Sequence, residues 1–498
     1  MKRILAFLLA AAMALTLAAC GNKGTAQSGG EVENASGTLV FSDSGVTAEG
    51  TGYQVDGTAV TITSAGVYAL SGSCGDGSVT VDKGVTGVTL VLNGLSLCGG
   101  DTAAIICGKG SAVTIQAAEG SVNTLSDTEQ NNDDSYPANE NAENAVIKCK
   151  DGTQVTLCGS GSLTIDAQGK NGIKSGATTD EEGQAWLVIR ELTLTIDAPV
   201  NDAVNAEQSL AVESGTLTIS AGDDALHSDL ALTIGAEGTD GPSITISDCY
   251  EGLEGANLAV CSGNIAITAR DDCLNAANGD LSGYAFTMDI SGGTIWAYTS
   301  QGDGFDSNGS MTISGGAVTV WSASTADNQP LDADGSITIS GGTVLAAGGS
   351  SGMGMNLEAQ QPCLTFSGVS VAKGTALTVG DVYSGQAVCD ARFVFFSSPD
   401  LTAEESYALT AGGSQLASAA AQTGTVSSFT GGGPGGMGGQ MPGGQQPGGQ
   451  QPGGQQPGGD PPQLPDGQTP GGDPPEMPDG QQPGGQGDRP TPPDQPQN

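Results

Sequence analysis

Oxygen-bearing side chains recur at matched places through the middle of the chain. Asp223, Asp224, Glu251, Glu254, Asp271, Asp272, Asn275, Asp303, Asp306 and Asp332 all fall within or beside copies of one phrase: acid, small, large apolar, polar, small. The copies read Asp202-Ala-Val-Asn-Ala, Asp224-Ala-Leu-His-Ser, Glu251-Gly-Leu-Glu-Gly, Asp272-Cys-Leu-Asn-Ala, Asp303-Gly-Phe-Asp-Ser and Gln329-Pro-Leu-Asp-Ala. Carboxylates and amides stacked in this way offer the six to eight oxygens that calcium prefers. Acids about 5 Å apart also repel one another strongly enough to call for a counterion. Any single Asp or Asn reads first as a turn former. The row as a whole reads as a calcium site, because turns alone do not demand acid at both the first and the fourth positions.

A second chemical group lies on the phrases between these copies. Aligning Gly215-Thr-Leu-Thr-Ile, Gly292-Gly-Thr-Ile-Trp-Ala and Gly341-Gly-Thr-Val-Leu-Ala places Ser220, Thr268, Tyr298, Trp321 and Ala347 in one column, with Trp296 two residues before Tyr298. If Ile295 and Ala297 face inward, Trp296, Tyr298 and Trp321 face out on adjacent turns of the chain. Two readings stand: a stacking platform for sugar rings, or cover for an apolar patch under the loop that holds Tyr284.

The elements that must position these residues are short strands. Val60-Thr-Ile-Thr, Val88-Thr-Leu-Val-Leu, Val155-Thr-Leu and Leu192-Thr-Leu-Thr-Ile alternate Thr with aliphatics between Gly, Asn, Asp and Ser turns. Successive first positions, Asn171, Asp202, Asp224, Glu251, Asp272, Asp303 and Gln329, step by 31, 22, 27, 21, 31 and 26 residues. A minimum step with variable insertions is the mark of a solenoid, and an all-β solenoid with this step is a parallel β-helix. The third position (Ile173, Val204, Leu226, Leu253, Leu274, Phe305, Leu331) is then the inward core ladder. The fourth (Lys174, Asn205, His227, Glu254, Asn275, Asp306, Asp332) points outward. The acidic stretch from Asp127 to Asn144 interrupts the alternation and reads as a surface loop.

Composition bounds the partners. A net charge of −41 over 498 residues sets nucleic acid aside as a direct partner and favours a cation or a neutral ligand. Aromatics at 4% and 81 glycines disfavour a core packed between helices. Lys2, Arg3, an apolar run to Leu15 and Leu17-Ala-Ala-Cys20 resemble a bacterial lipoprotein signal over residues 1–20, which makes Cys20 the lipid-modified anchor to the membrane. An ordinary secretory signal with an incidental cysteine is the other reading. Residues 21–36 read as a linker, 37–430 as the β body with closing strands at about 391–430, and 431–498 as a Gly/Pro/Gln-rich disordered tail. Of the ten later cysteines, Cys74 with Cys98 and Cys249 with Cys273 are spaced to stack on neighbouring turns, as thiols or as disulfides. A monomer is the default assembly.

The series Gly222-Asp-Asp-Ala-Leu-His, Tyr250-Glu-Gly-Leu-Glu-Gly-Ala-Asn, Asp271-Asp-Cys-Leu-Asn-Ala-Ala and Gly302-Asp-Gly-Phe-Asp-Ser-Asn-Gly, followed by Ser397-Ser-Pro-Asp-Leu, resembles a bacterial carbohydrate-binding β-helix family typified by a clostridial polygalacturonate-binding surface protein. The resemblance spans roughly residues 85 to 413. It implies a right-handed single-stranded parallel β-helix of the pectate-lyase kind, bound Ca2+, and affinity for acidic polysaccharide. Ala203, Ala225 and Cys273 stand where the family has Gly, and Gln329-Pro330 replaces an acidic phrase.

A lyase on this fold needs an uncharged base. Arg270, beside Asp271-Asp272, reads instead as their charge partner. Asp223-Asp224 with His227 superficially fits a hydrolase, but His227 occupies the ordinary outward column and reads as a surface residue. The expectation is a non-catalytic, calcium-dependent binder of acidic polysaccharide at the cell surface. The alternatives are a lyase or hydrolase on the same fold, or an adhesive surface protein.

Overall fold

A computed structural model describes residues 27–30, 32–177, 186–279, 281, 283–325, 328–349 and 357–426. Cys20, residues 21–26 and 31 of the predicted linker and the predicted tail from 431 lie outside them. Among the described residues every regular element is a β-strand. From Gln27 the chain is already tied down: Gln27 bridges Val122, and Asn93 bonds both the Gly29 amide (2.6 Å) and the Gly30 carbonyl (2.9 Å).

The body is built from three ladders of parallel strands, each strand paired with its equivalent one repeat later. The first ladder carries the Gly-Gly-Thr phrases and runs through Ser162–Asp166, Thr193–Ala198, Thr216–Ala221, Ser243–Asp248, Asn264–Ala269, Thr294–Thr299, Ala317–Ser322 and Thr343–Gly348. The second carries the acidic phrases and runs through Asn171–Ser175, Val204–Ala206, Leu226–Ile234, Leu253–Val260, Leu274–Ala276 and Phe305–Ser307, ending in a bridge to Leu331. The third includes Gln154–Cys158, Trp186–Ile189, Ser209–Val212, Thr287–Ile290 and Ser310–Ile313.

Alternation explains the strands. In Thr216–Ala221 the threonines face out while Leu217, Ile219 and Ala221 are buried. In-register stacking then sets like on like: Leu217, Ile244, Ile265, Ile295 and Val318 form one inward column. The third-position column Ile173, Val204, Leu226, Leu253, Leu274, Phe305 and Leu331 is 0% exposed throughout. Each such side chain contributes about 1.5–3 kcal/mol by leaving water. The second glycine of the Gly-Gly-Thr phrase has φ of 85° at Gly293, 83° at Gly316 and 77° at Gly342, a left-handed turn that a side chain would strain.

The two ends differ from the middle. At the start, Gly37–Ser42 pairs antiparallel with Gly45–Gly50. At the far end Ala391–Ser397 lies antiparallel on Thr343–Gly348, beside Leu357–Val371, and a separate four-stranded antiparallel sheet includes Ala376–Val379 and Ser406–Ala411. These segments build a second apolar cluster around Trp321, Leu345, Leu364, Phe396 and Leu409.

Two expectations about the body change. The stretch from Asp127 to Asn144 is not merely a surface loop: Asp127, Asn131 and Asn132 are buried, with Asp127 accepting the amides of Gln168 (2.8 Å) and Gly169 (3.1 Å). The ten described cysteines after Cys20 are unbonded thiols, and Cys74 stands opposite Leu97, not Cys98. The pair in direct register is Cys107 with Cys149.

Candidate functional site

The second ladder places the acids. Its first-position side chains tie consecutive turns together, because Asp202 Oδ1 accepts the Asp224 amide at 3.1 Å and Asp272 Oδ1 accepts the Asp303 amide at 2.7 Å. Asp303 Oδ1 takes the Gln329 amide in the same way. The row therefore has a structural task besides any chemical one. Its fourth-position residues point away from the core but do not form an open outer face. Glu254 and Asn275 are buried, at 5% and 8% exposure, and Asn275 Nδ2 donates to Glu251 Oε2 at 2.8 Å.

The ten predicted oxygen ligands thus divide among separate places. Asp223 and Asp224 come together with Asp202, and Asp303, Asp306 and Asp332 form another all-oxygen group; in each, ligand atoms lie within 4.8 Å of one another. Glu251 and Asn275 bond to each other. Asp271 and Asp272 flank Gly302, where an added Cβ would run into the Oδ1 atoms of both. Glu254 joins Asp224 and His227. His227 is a correction to the sequence reading. Its side chain is only 13% exposed and contacts Asp224, Asp229 and Glu254.

Burial raises the acids' proton affinity. It pushes Asp202 up to about 7, with repulsion from Asp224 adding, and Asp272 up to about 9, with Asp271 and Glu251 adding. Asp303 rises to about 7 and Asp306 to about 6 for the same leading reason. Burial works against a charged His227, yet hydrogen bonds to Asp224, Asp229 and Glu254 outweigh it and hold the ring well above its ordinary value. Such a cluster holds protons or cations in place of water. The all-oxygen group of Asp303, Asp306 and Asp332, the cradle at Gly302 and the buried, unbonded Oδ1 of Asn275 fit a hard divalent cation such as calcium.

The aromatic column keeps its predicted register but not its exposure. Thr268, Tyr298, Trp321 and Ala347 pair in sequence, and Ile295 and Ala297 face in. Trp321, however, is 1% exposed beneath the C-terminal strands, with Tyr298 packed against the same cluster. It cannot stack on a sugar. Trp296 is half-buried. The predicted cover from the Tyr284 loop is not what buries Trp321; the strands that return from 357 onward do.

Sequence reasoning missed Tyr250. It is 41% exposed and hydrogen-bonds Asp271, which together with burial and nearby acids pushes its hydroxyl up to about 12. It stands in the place before the first acid that Asp223 and Asp271 occupy in their own copies, and that position was the signal. Arg270 is held by backbone: Nε donates to the Cys249 carbonyl at 3.1 Å and Nη2 to that of Gly222 at 2.5 Å, with Asp248 3.7 Å away.

The family model for carbohydrate-binding domain-containing proteins matches residues 56–352, more than half of the chain and the whole of the acidic ladder. The chain belongs to this carbohydrate-binding domain family. A member from Acetivibrio thermocellus, described in the same words, is 34% identical over 175 residues, which cover 34% of this chain and 59% of the relative. The chain thus spans well under two thirds of that relative's length. A solved structure described as the polysaccharide lyase-like protein from C. thermocellum, in its gadolinium derivative, is 23% identical, covers 62% of this chain and 93% of its own, and has a TM-score of 0.33.

Proposed function

We propose that this protein is a non-catalytic binder of acidic, polygalacturonate-like polysaccharide that uses calcium to join its own carboxylates to those of the glycan. The three ladders, on this reading, wind as a right-handed parallel β-helix, and a lipid on Cys20 holds the protein at the outer face of a bacterial membrane. The observation that carries the proposal is the Asp303, Asp306 and Asp332 group, three half-buried acids with ligand atoms within 4.8 Å of one another on the acidic ladder of a carbohydrate-binding family member. A polyanion approaching a chain of net charge −41 needs a bridging cation. Asp303, Asp306 and Asp332 would hold such an ion, with Asp271 and Asp272 around Gly302 as a second place, and the ion would supply positive charge and open ligand positions for uronate oxygens. Tyr250, exposed beside Asp271, offers a ring face to a sugar.

The bonding of Arg270 to three backbone carbonyls favours binding over lysis, since a guanidinium so held is a charged clamp and not a base. Retention of the full chain on immobilised polygalacturonate tests the proposal. Calcium is expected to hold the protein and chelator to release it, with no unsaturated or reducing ends appearing on incubation. Equal retention with and without calcium overturns the bridge; product ends overturn the non-catalytic reading.

A further inference from the structure

The acids around His227 differ from the all-oxygen groups, because they enclose a ring nitrogen. His227 Nε2 lies 2.8 Å from Asp229 Oδ1. Asp229 reaches it through an irregularity in strand Leu226–Ile234: between Ser228 and Ala231 the strand holds one more residue than Gly255 to Asn257 of the next turn. The bulge is fixed from both sides. Ser228 Oγ donates to the Gln208 carbonyl at 2.7 Å and accepts the Leu230 amide at 3.2 Å, while Asn278 Nδ2 donates to the Asp229 carbonyl at 2.9 Å.

A carboxylate on Nε2 is the usual arrangement behind a metal-bound imidazole, whose Nδ1 gives up its proton when the ion enters. Nδ1 faces two carboxylates at once, Asp224 Oδ2 at 3.2 Å and Glu254 Oε2 at 2.5 Å. Two carboxylates converging on one ring nitrogen call for positive charge among them, which a proton on Nδ1 supplies in the metal-free chain and a metal ion can take over. A second observation is independent of this. Asp202, Asp272 and Asp303 each bond the next copy's amide through Oδ1, whereas Asp224 Oδ1 is buried and bonds nothing, in a residue only 1% exposed.

We propose that Asp224, His227 and Glu254 bind a divalent transition ion of the zinc type, through Nδ1 and one oxygen of each acid, with Asp229 as the positioning residue at Nε2. One imidazole and two carboxylates suit zinc, which accepts nitrogen and low coordination; calcium takes oxygen and asks for more ligands. The site goes beyond the calcium bridge, which rests on Asp303, Asp306 and Asp332 and shares no residue with it.

The test uses the full chain, stripped with chelator and titrated with Zn2+ in excess calcium without glycan. Calorimetry gives the number bound, and Co2+ in place of zinc gives a visible spectrum that reports nitrogen ligation. One ion per chain is expected, held in the presence of calcium. His227→Asn places in this column the residue that Asn205 and Asn275 already supply there, so the fold tolerates it, as thermal unfolding of the metal-free chain will check. That change should abolish zinc retention in calcium, and Asp229→Asn should weaken it about 10- to 100-fold. Absence of zinc binding by the folded wild-type chain overturns the proposal. So does equal binding by a folded His227→Asn chain. Because no glycan is present, failure here is distinct from failure of the polysaccharide reading.

Discussion

The Asp303 amide donates to Asp272 Oδ1 at 2.7 Å, so an acid of one turn holds the backbone of the next. The same carboxylate flanks Gly302 together with Asp271, the second place proposed for calcium. Structure and the proposed calcium binding therefore draw on one side chain, and the two roles can be separated by choice of substitution.

Asp272→Ala removes the acceptor and leaves the Asp303 amide unbonded, at a cost of about 1–3 kcal/mol. Asp306 makes no comparable tie to the next first-position amide, so Asp306→Asn should lower calcium-dependent retention on polygalacturonate while leaving stability in chelator within about 0.5 kcal/mol. Denaturant unfolding in chelator, beside column retention in calcium, resolves the two effects.

Gly302→Ala should lose retention without removing a single oxygen ligand. The new methyl would press on the Oδ1 atoms of Asp271 and Asp272 and on the Asp271 backbone. Overpacking of this sort costs about 1–3 kcal/mol. Calcium titration by calorimetry should show fewer ions or weaker binding in the variant; an unchanged isotherm would remove Gly302 from the site.

Trp321 and Tyr250 should behave oppositely. Truncating buried Trp321 to Ala empties the centre of the C-terminal cluster and should cost about 3–5 kcal/mol, read as a lower unfolding midpoint. Tyr250→Ala removes a ring that is 41% exposed and should weaken polysaccharide retention with little change in that midpoint.

Asp127 should titrate near 6. Burial raises it to about 6 against the hydrogen bonds from Asn131, Gly169 and Gln168 that favour its charge. In the folded state it binds more proton than in the unfolded chain between its ordinary value near 4 and about 6. Its contribution to stability is therefore fully present below about pH 4 and is lost as pH rises through about 6. A carboxyl carbon titration, assigned by comparison with Asp127→Asn, should place the midpoint near 6. A midpoint near 4 would show that the hydrogen bonds prevail.

Much of the site was legible because the body repeats. In a parallel in-register stack, equivalent residues lie one above another, so spacing alone put Leu226, Leu253, Leu274 and Phe305 in one buried column and His227, Glu254, Asn275 and Asp306 in the next. Reading each column as a uniform surface was where sequence reasoning stopped. A residue facing away from the core is exposed only if nothing later in the chain covers it, and the strands that return over Trp321 come from 357 onward, outside the repeat.

The sequence by itself determined the all-β build, the step of the repeat, the inward aliphatic column and the in-register acids, since each follows from contacts between neighbouring turns. Only the tertiary structure decided which acids stand together, that Trp321 is core and Tyr250 is surface, and that a one-residue bulge turns Asp229 onto His227. Those outcomes depend on irregular insertions and on chain segments far apart in sequence, whose positions no local period records.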